Sequence, residues 1–378
     1  MGEDLDDILL QFIPRLAKAA DALEYHLAVA EMATHVHDGH AVVSSPTITD
    51  YLGPAYAPVR LRLIEGLPVV TSYLDEEAAR EAGIAVGDVI LKVNGVAAKD
   101  RMMQLSKYLA ASTEQSLMRR AVDSLLRGPD NSTVSVLIRG ASNELKEVKL
   151  PRKASYIQAT ATQRTGDPIR LLPGNIGYAD LDRITVPMVD SMFEKFKDTK
   201  AIIFDDRTYP LGTAWTIAPR LARENGVVGA IFERRISIFP DAPLGEMARQ
   251  FASQTFFQRI PSTSKWRYKG KTVMLIDERA ISQAEHTGLF FEAANGTKFI
   301  GSPTGGANGD VTNFCVPGNI WINFSGQAVR HADGRQLQRA SAWCRMWRCD
   351  RLSTGFVLEE TKFWKKPSST FRSSLHEP

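Results

Sequence analysis

The chain has 378 residues, of which 44% are hydrophobic and 24% charged, with a formal net charge of +3. That is ordinary globular composition with room for two or three domains, and it excludes collagen-like, coiled-coil and disordered classes. No stretch of about eighteen unbroken apolar residues occurs, so no membrane span is expected. The acidic start MGEDLDD is unlike a secretory signal, which makes a cytoplasmic location the default expectation. Three cysteines, Cys315, Cys344 and Cys349, supply neither a disulfide framework nor the paired CxxC of a zinc ribbon.

In chain order, residues 4–36 place apolar side chains at spacings of three and four, which predicts one or two helices broken near Pro14. HDGHAVVSSP then reads as a turn into a short extended run. Residues 57–153 form a block of short strands. APVRLRLIEGLPVVTSYL alternates, EEAAREAG is a short helix closed by Gly83, and IAVGDVILKVNGVAA is two apolar runs hinged on Gly87 and Asn94-Gly95. MMQLSKYLAASTEQSLMRRAVDSLL is predicted as helix, and STVSVLIRG and LKEVKLPRK as the last strands of the block. Within it, AGIAVGDVILKVNGV closely resembles the PDZ pattern A-G-L-x-x-G-D-x-I-L-x-V-N-G. PDZ domains bind peptide C-termini by adding a strand to an exposed edge and holding the carboxylate in a loop of N–H groups. Glu65-Gly66-Leu67-Pro68, with Gly66 and Leu67 at its centre, is the expected loop.

Residues 174–339 alternate strand and helix. NIGYADL, KAIIFDD, GAIFER, KTVMLID and KFIGS read as strands. VPMVDSMFEKFKD, AWTIAPRLARE and AEHTGLFFEAAN read as helices. Together they predict a largely parallel α/β layer. DVTNFCVPGNIWINFSGQAVR follows as antiparallel ribbon.

Four places carry candidate chemistry. Ser282 follows a buried-type strand and opens a helix, where the dipole and the Gln283 N–H suit an oxyanion. The same residues also spell S-x-x-E, a capping box. His35-Val36-His37-Asp38-Gly39-His40 has the H-x-H spacing of a metal site, here without a later ligand pattern. It reads as zinc, as a lone general base or as a surface turn. Asp205-Asp206-Arg207-Thr208-Tyr209-Pro210-Leu211-Gly212 ends a strand in a tight turn before a helix. Such a turn is either a plain connection or a source of oxyanion N–H donors at Leu211 and Gly212. The glycine-rich Gly301–Gly309 lacks the GK[ST] of a phosphate loop, which argues against nucleotide binding.

In this order the pieces resemble the tail-specific, or C-terminal-processing, serine peptidase family, over roughly residues 20–339. The resemblance implies a helical N-terminal segment (1–53), an inserted PDZ-like peptide-binding domain (54–155) and a crotonase-like (ClpP/crotonase-type) α/β peptidase domain (156–339). The family's D-x-R-G-N-P-G-G oxyanion turn matches DDRTYPLG. Its V-x-x-G-x-T-A-S-A-S-E nucleophile segment matches MLIDERAISQAE, with Ser282 as the serine. The lysine base of one branch falls on Ala307, so that branch's Ser-Lys chemistry is not expected. The other branch is similar to the core of tricorn protease and takes its base from a histidine ahead of the PDZ domain. His40 matches that histidine, with Gly39 in place of a neighbouring serine. The glutamate that completes that site falls near Gln336 or Gln338, an amide, and Gln338 is assigned the position. Both departures imply reduced activity. The implied function is a Ser-His endopeptidase for unfolded or C-terminally presented polypeptides with apolar tails, needing no cofactor and no metal. No nucleic-acid partner is expected, and a homo-oligomer is compatible with the family. The alternative is a peptide-binding pseudo-peptidase without catalysis.

The tail from Ala340 to Pro378 carries the whole charge excess, with seven Lys/Arg against four Asp/Glu, and holds Trp343, Trp347 and Trp364. Back-translated with GC-rich codons and read in a shifted frame, it spells VGLVPDVEV followed by RPTINGICAGRDEVLEKAIEYF. That resembles the G-x-x-P-D-x-x-V strand that finishes the family's catalytic domain. The tail is therefore expected to be a frameshift product, poorly ordered and costly to solubility and activity.

Overall fold

A computed structural model of the chain describes residues 4–160, 164–239 and 250–335. The tail expected to be a frameshift product, Gln336 and Gln338 lie outside the described residues. The N-terminal segment opens with α1 (Leu5–Lys18) and α2 (Ala22–Thr34), each capped by an aspartate, Asp4 and Asp21. Pro14 lies inside α1 and does not break it. The carbonyl it leaves without a partner belongs to Leu10, on the exposed face where water can serve it. The break falls instead at Asp21, whose carboxylate accepts the Glu24 N–H at 2.9 Å. Ile8 and Phe12 of α1 pack on Ala28 of α2. A turn through His40 leads to β1 (Val43–Ser44), and Ser45 caps α3 (Pro46–Leu52).

The next block is a sheet with a covering pair of helices. Its strands are β2 (Val59–Ile64), β3 (Leu67–Tyr73), β4 (Val89–Val93), β5 (Val96–Ala97), β6 (Thr133–Arg139) and β7 (Leu145–Pro151). The order β2-β3-β4-β6-β7 leaves β2 on an edge. Helix α4 (Glu76–Ala82) ends at Gly83 in the left-handed conformation, the position only glycine occupies without cost. The stretch expected as one helix is two, α5 (Ala98–Ser106) and α6 (Glu114–Ser124). Thr113 is the reason: its hydroxyl accepts the Ser116 N–H and starts a new helix after a turn. The block has its own core around Val70, Val93, Leu125, Val134 and Leu150.

The last block begins with β8 (Ile169–Leu172), β9 (Ile176–Asp180), α7 (Val189–Phe196), β10 (Ala201–Asp205) and α8 (Ala214–Leu221). It continues through β11 (Val228–Ser237), β12 (Phe251–Arg259), β13 (Lys271–Ile276), α9 (Gln283–Asn295) and β14 (Lys298–Gly301), and finishes with β15 (Val311–Val316), β16 (Ile320–Ser325) and β17 (Ala328–His331). Strands β14-β13-β10-β9 run parallel, with β8 antiparallel at the edge. GAIFER, expected in this layer, is β11 and sits in a separate antiparallel sheet, β12-β11-β17. A strand that pairs antiparallel with its neighbour needs no helical crossover, and β11 pairs antiparallel with β12. Helix α9 is buried almost all round, with Phe290 and Phe291 at 0% exposure. Truncating either to alanine should cost about 3–5 kcal/mol.

One small pairing does the long-range work. β1 pairs antiparallel with β16 as Val43↔Ile322 and Ser44↔Trp321, and the Asn323 N–H donates to Val42 O at 3.0 Å. Carried back along the chain, the same register sets His40 opposite Ser325.

Candidate active site

Ser282 stands between β13 and α9, and its backbone is strained: φ is +58° and ψ −115°. The caps of α1, α2, α3, α4 and α6 all sit in extended conformations, and their side chains accept helix N–H groups. Ser282 differs in its backbone, while the capping-box pairing with Glu285 is retained, its N–H reaching Glu285 Oε2 at 3.3 Å. A left-handed serine at a sharp strand-to-helix turn is the geometry that exposes a nucleophilic hydroxyl, and such strain concentrates at functional sites. The Ser282 N–H also donates to Ala307 O at 2.7 Å.

Glu285 is the anchor of the glycine-rich loop. Its Oε1 accepts from the Thr304 hydroxyl at 2.6 Å and from the Gly306 N–H at 2.8 Å. Burial pushes its pKa up to about 7, against the pull of these hydrogen bonds. The loop therefore serves the start of α9, and Ala307, fully buried, backs Ser282.

His40 reaches the same place from the far end of the chain. Its Nδ1 lies 2.8 Å from Ser325 Oγ, and that hydroxyl donates to Asp38 Oδ1 at 2.9 Å. Asp38 also accepts the Ser325 N–H at 2.6 Å and the His40 N–H at 3.0 Å. Because the serine proton goes to the carboxylate, its oxygen accepts from Nδ1–H, and the network assigns the tautomer with a bare Nε2. Burial lowers the His40 pKa below its ordinary value; Asp38 opposes that shift and Arg120 adds to it. The ring is thus neutral at neutral pH and able to accept a proton. His40, Ser282, Tyr209, Arg120, Ile281 and Asn323 all line one cavity of about 320 Å3.

The remaining expected site residues separate. The Gln283 N–H is the first of α9, among those a helix leaves without an intrahelical partner. Gly212, at φ +69°, lies beside Gln283: a Cβ there would sit 3.6 Å from Gln283 Nε2. The Leu211 N–H, expected as an oxyanion donor, is instead spent on Leu181 O at 3.3 Å. Tyr209 N–H is held by Asp182 Oδ1 at 3.1 Å. At the root of this turn Arg207 pairs with Asp205, which also accepts the Tyr178 hydroxyl at 2.7 Å. Asp206 is fully buried and neither of its carboxyl oxygens has a hydrogen-bond partner. Its pKa is raised by that burial first and by Asp182 and Asp205 next. The other histidines of the cluster diverge, His35 lying edge-on to Phe12. Among the described residues no group of three or more His, Cys, Asp or Glu is placed to hold a metal ion, and no helix is long and apolar enough to cross a membrane.

Glu65 and Gly66, both at positive φ, form the tight turn of the β2–β3 hairpin, with Ile64 paired to Leu67. The Gly66-Leu67 segment expected to hold a carboxylate is thus the turn of that hairpin and the first residue of β3. The groove of this block lies elsewhere. It runs between the open edge of β2 and α6, with a volume of about 760 Å3, over Leu61, Leu63, Met118 and Val122. It continues to Arg279 and to Tyr209, which also lines the cavity of Ser282.

The supporting pair Ser325 and Asp38 was not visible in the sequence. Asp38 stood out only as the acid of a metal-like motif, and Ser325 only as a turn residue. Their meeting depends on the β1–β16 register, which no local pattern reveals.

Residues 69–122 match the family model for the PDZ domain. No curated protein matches the sequence. Among solved structures, mature CPAF is similar at 13% identity over 93% of this chain and 88% of that one, with a TM-score of 0.69. Mature CPAF complexed with lactacystin is similar at 13% identity over 89% and 86%, with a TM-score of 0.65. The photosystem II D1 C-terminal processing protease matches at 15% identity over 90% and 86%, with a TM-score of 0.48. The chain thus has the fold of the mature CPAF structures and carries a PDZ domain within it.

Proposed function

We propose that the chain is a serine endopeptidase in which Ser282 is the nucleophile and His40 the general base, working on a crotonase-like α/β scaffold. The carrying observation is that the strained Ser282 and a His40 with a bare Nε2 line one cavity. Ser282 Oγ attacks the scissile carbonyl while Nε2 takes its proton. The imidazolium is held by Ser325 and, through it, by the Asp38 charge, the role an acid plays behind the histidine of a serine triad. Charge on the tetrahedral oxygen falls to the Gln283 and Gly212 N–H groups at the head of α9. The proton then passes to the leaving amine, and water releases the acyl group. Asp38 with Ser325 supplies the orienting acid that Gln338 cannot.

Substrate enters as an extended strand along β2, over the apolar floor of the groove, and is led past Tyr209 to Ser282. Ser282→Ala should abolish hydrolysis of an unfolded protein and labelling by a fluorophosphonate, with circular dichroism unchanged. Full turnover by Ser282→Ala would overturn the assignment. Labelling of Ser282 without any peptide hydrolysis would favour a peptide-binding role.

A further inference from the structure

Arg120 is the odd member of the cavity. It comes from α6, the helix that also walls the peptide groove, and reaches over to donate to Gly39 O at 2.5 Å. Among the described residues no carboxylate lies within ion-pair distance of it. The acids that face it are committed elsewhere: Asp123 to Arg119 at 2.9 Å, and Asp38 to Ser325 and the His40 N–H. Its Nε is buried with no hydrogen-bond partner. Burial, with Arg119 adding to it, brings its pKa down to about 10, so it stays charged at neutral pH. The cavity lining includes no Asp or Glu. A desolvated cation with no carboxylate in contact is costly, and one hydrogen bond to a carbonyl uses a fraction of a fork that fits a carboxylate.

We propose that Arg120 makes the cavity an anion subsite, binding a substrate carboxylate beside the scissile bond. That carboxylate is either an Asp or Glu side chain or the chain-terminal α-carboxylate. The inference rests on the peptidase reading for the words "scissile bond", and on the geometry alone for the anion. It narrows the substrates to polypeptides that carry such a group at the point of cleavage.

The test is built on binding, so that it stands apart from turnover. Full-length Ser282→Ala is titrated with fluorescein-labelled alanine hexapeptides bearing a central Glu or Gln, each with a free or an amidated C-terminus. Carboxylate-bearing peptides should bind about tenfold to a hundredfold more tightly than the wholly neutral one, as for a charge-assisted pair. Whether the Glu or the free C-terminus confers the advantage identifies the source. Adding Arg120→Gln should collapse the ratio to about one, and Arg120→Glu should turn the preference toward a central Lys. Arg120→Lys, which keeps the charge, controls for folding and should retain part of the ratio. Equal binding of all four peptides, or a ratio unmoved by Arg120→Gln, overturns the proposal. Hydrolysis of the neutral peptide by the unmodified chain tests the peptidase reading separately.

Discussion

The two ring nitrogens of His40 have separate employers, and this gives the site a pH signature. Burial holds the His40 pKa below its ordinary value, so the acid limb of kcat/KM should lie below pH 6.5. Asp38 raises that pKa and Arg120 lowers it. Asp38→Asn should therefore move the acid limb further down, and Arg120→Gln should move it up. Asp38→Asn should also cut kcat by roughly a hundredfold or more with little change in KM, because the imidazolium loses its anion. A rate profile from pH 4 to 9 checks both signs. A second residue, Asp206, sets stability. Its folded-state pKa is raised, so the folded chain keeps a proton that the unfolded chain gives up above about pH 3.8. Stability tied to Asp206 is thus fully present below that pH and is lost as pH rises toward the folded value. Asp206→Asn should stabilise at pH 8, because the amide has no proton to take up and no charge to bury, and by progressively less toward pH 4. Thermal melts of the two proteins across that range measure it.

Among the elements, the most informative are the short ones. β1 has two residues, yet its register carries His40 to Ser325. The break between α5 and α6 sets Ser112 to accept the Gly39 N–H at 2.7 Å. Periodicity found most of the long helices and the parallel strands, since those bury continuous apolar faces such as that of α9. It missed β12, whose side chains are nearly all exposed and so leave no burial pattern, and it merged α5 with α6 because both are amphipathic. Ser282 and His40 were legible because a serine at a strand-to-helix junction and a histidine in a turn are local features. Ser325 and Asp38 were not, because their pairing spans nearly the whole chain. The open edge of β2 yields its own prediction. The two-residue turn makes Ile64 and Leu67 a hydrogen-bonded pair, so by alternation the Leu63 N–H faces outward. Leu63→Pro should remove one strand-addition donor and weaken peptide binding at least tenfold. Its melting temperature should change little, since proline is tolerated on an edge. Fluorescence titration with an apolar C-terminal peptide decides it.

Over the whole molecule, the PDZ block is a structural partner of the cavity as well as a candidate substrate guide. Ser112 and Arg120 grip the two sides of the Gly39 peptide, and Thr113 Oγ1 reaches Gly305 O at 3.4 Å. Excising residues 57–153 should therefore lower hydrolysis of short and tailed substrates alike. A loss confined to tailed substrates would show that the block only delivers. The frameshift proposed for the tail is settled by the gene: a stop codon early in the shifted frame after Arg339 removes it.

Gly39 and Ala307 share one crowded point. A Cβ at position 39 would lie 2.9 Å from the Ala307 methyl, and Ala307 has no exposed surface. A lysine at 307 would have to drive out the turn that holds His40. The two ways of activating such a serine are thus rival tenants of a single volume. Replacing the alanine alone by a lysine should therefore disturb the turn that holds His40 and lower activity rather than add a second base.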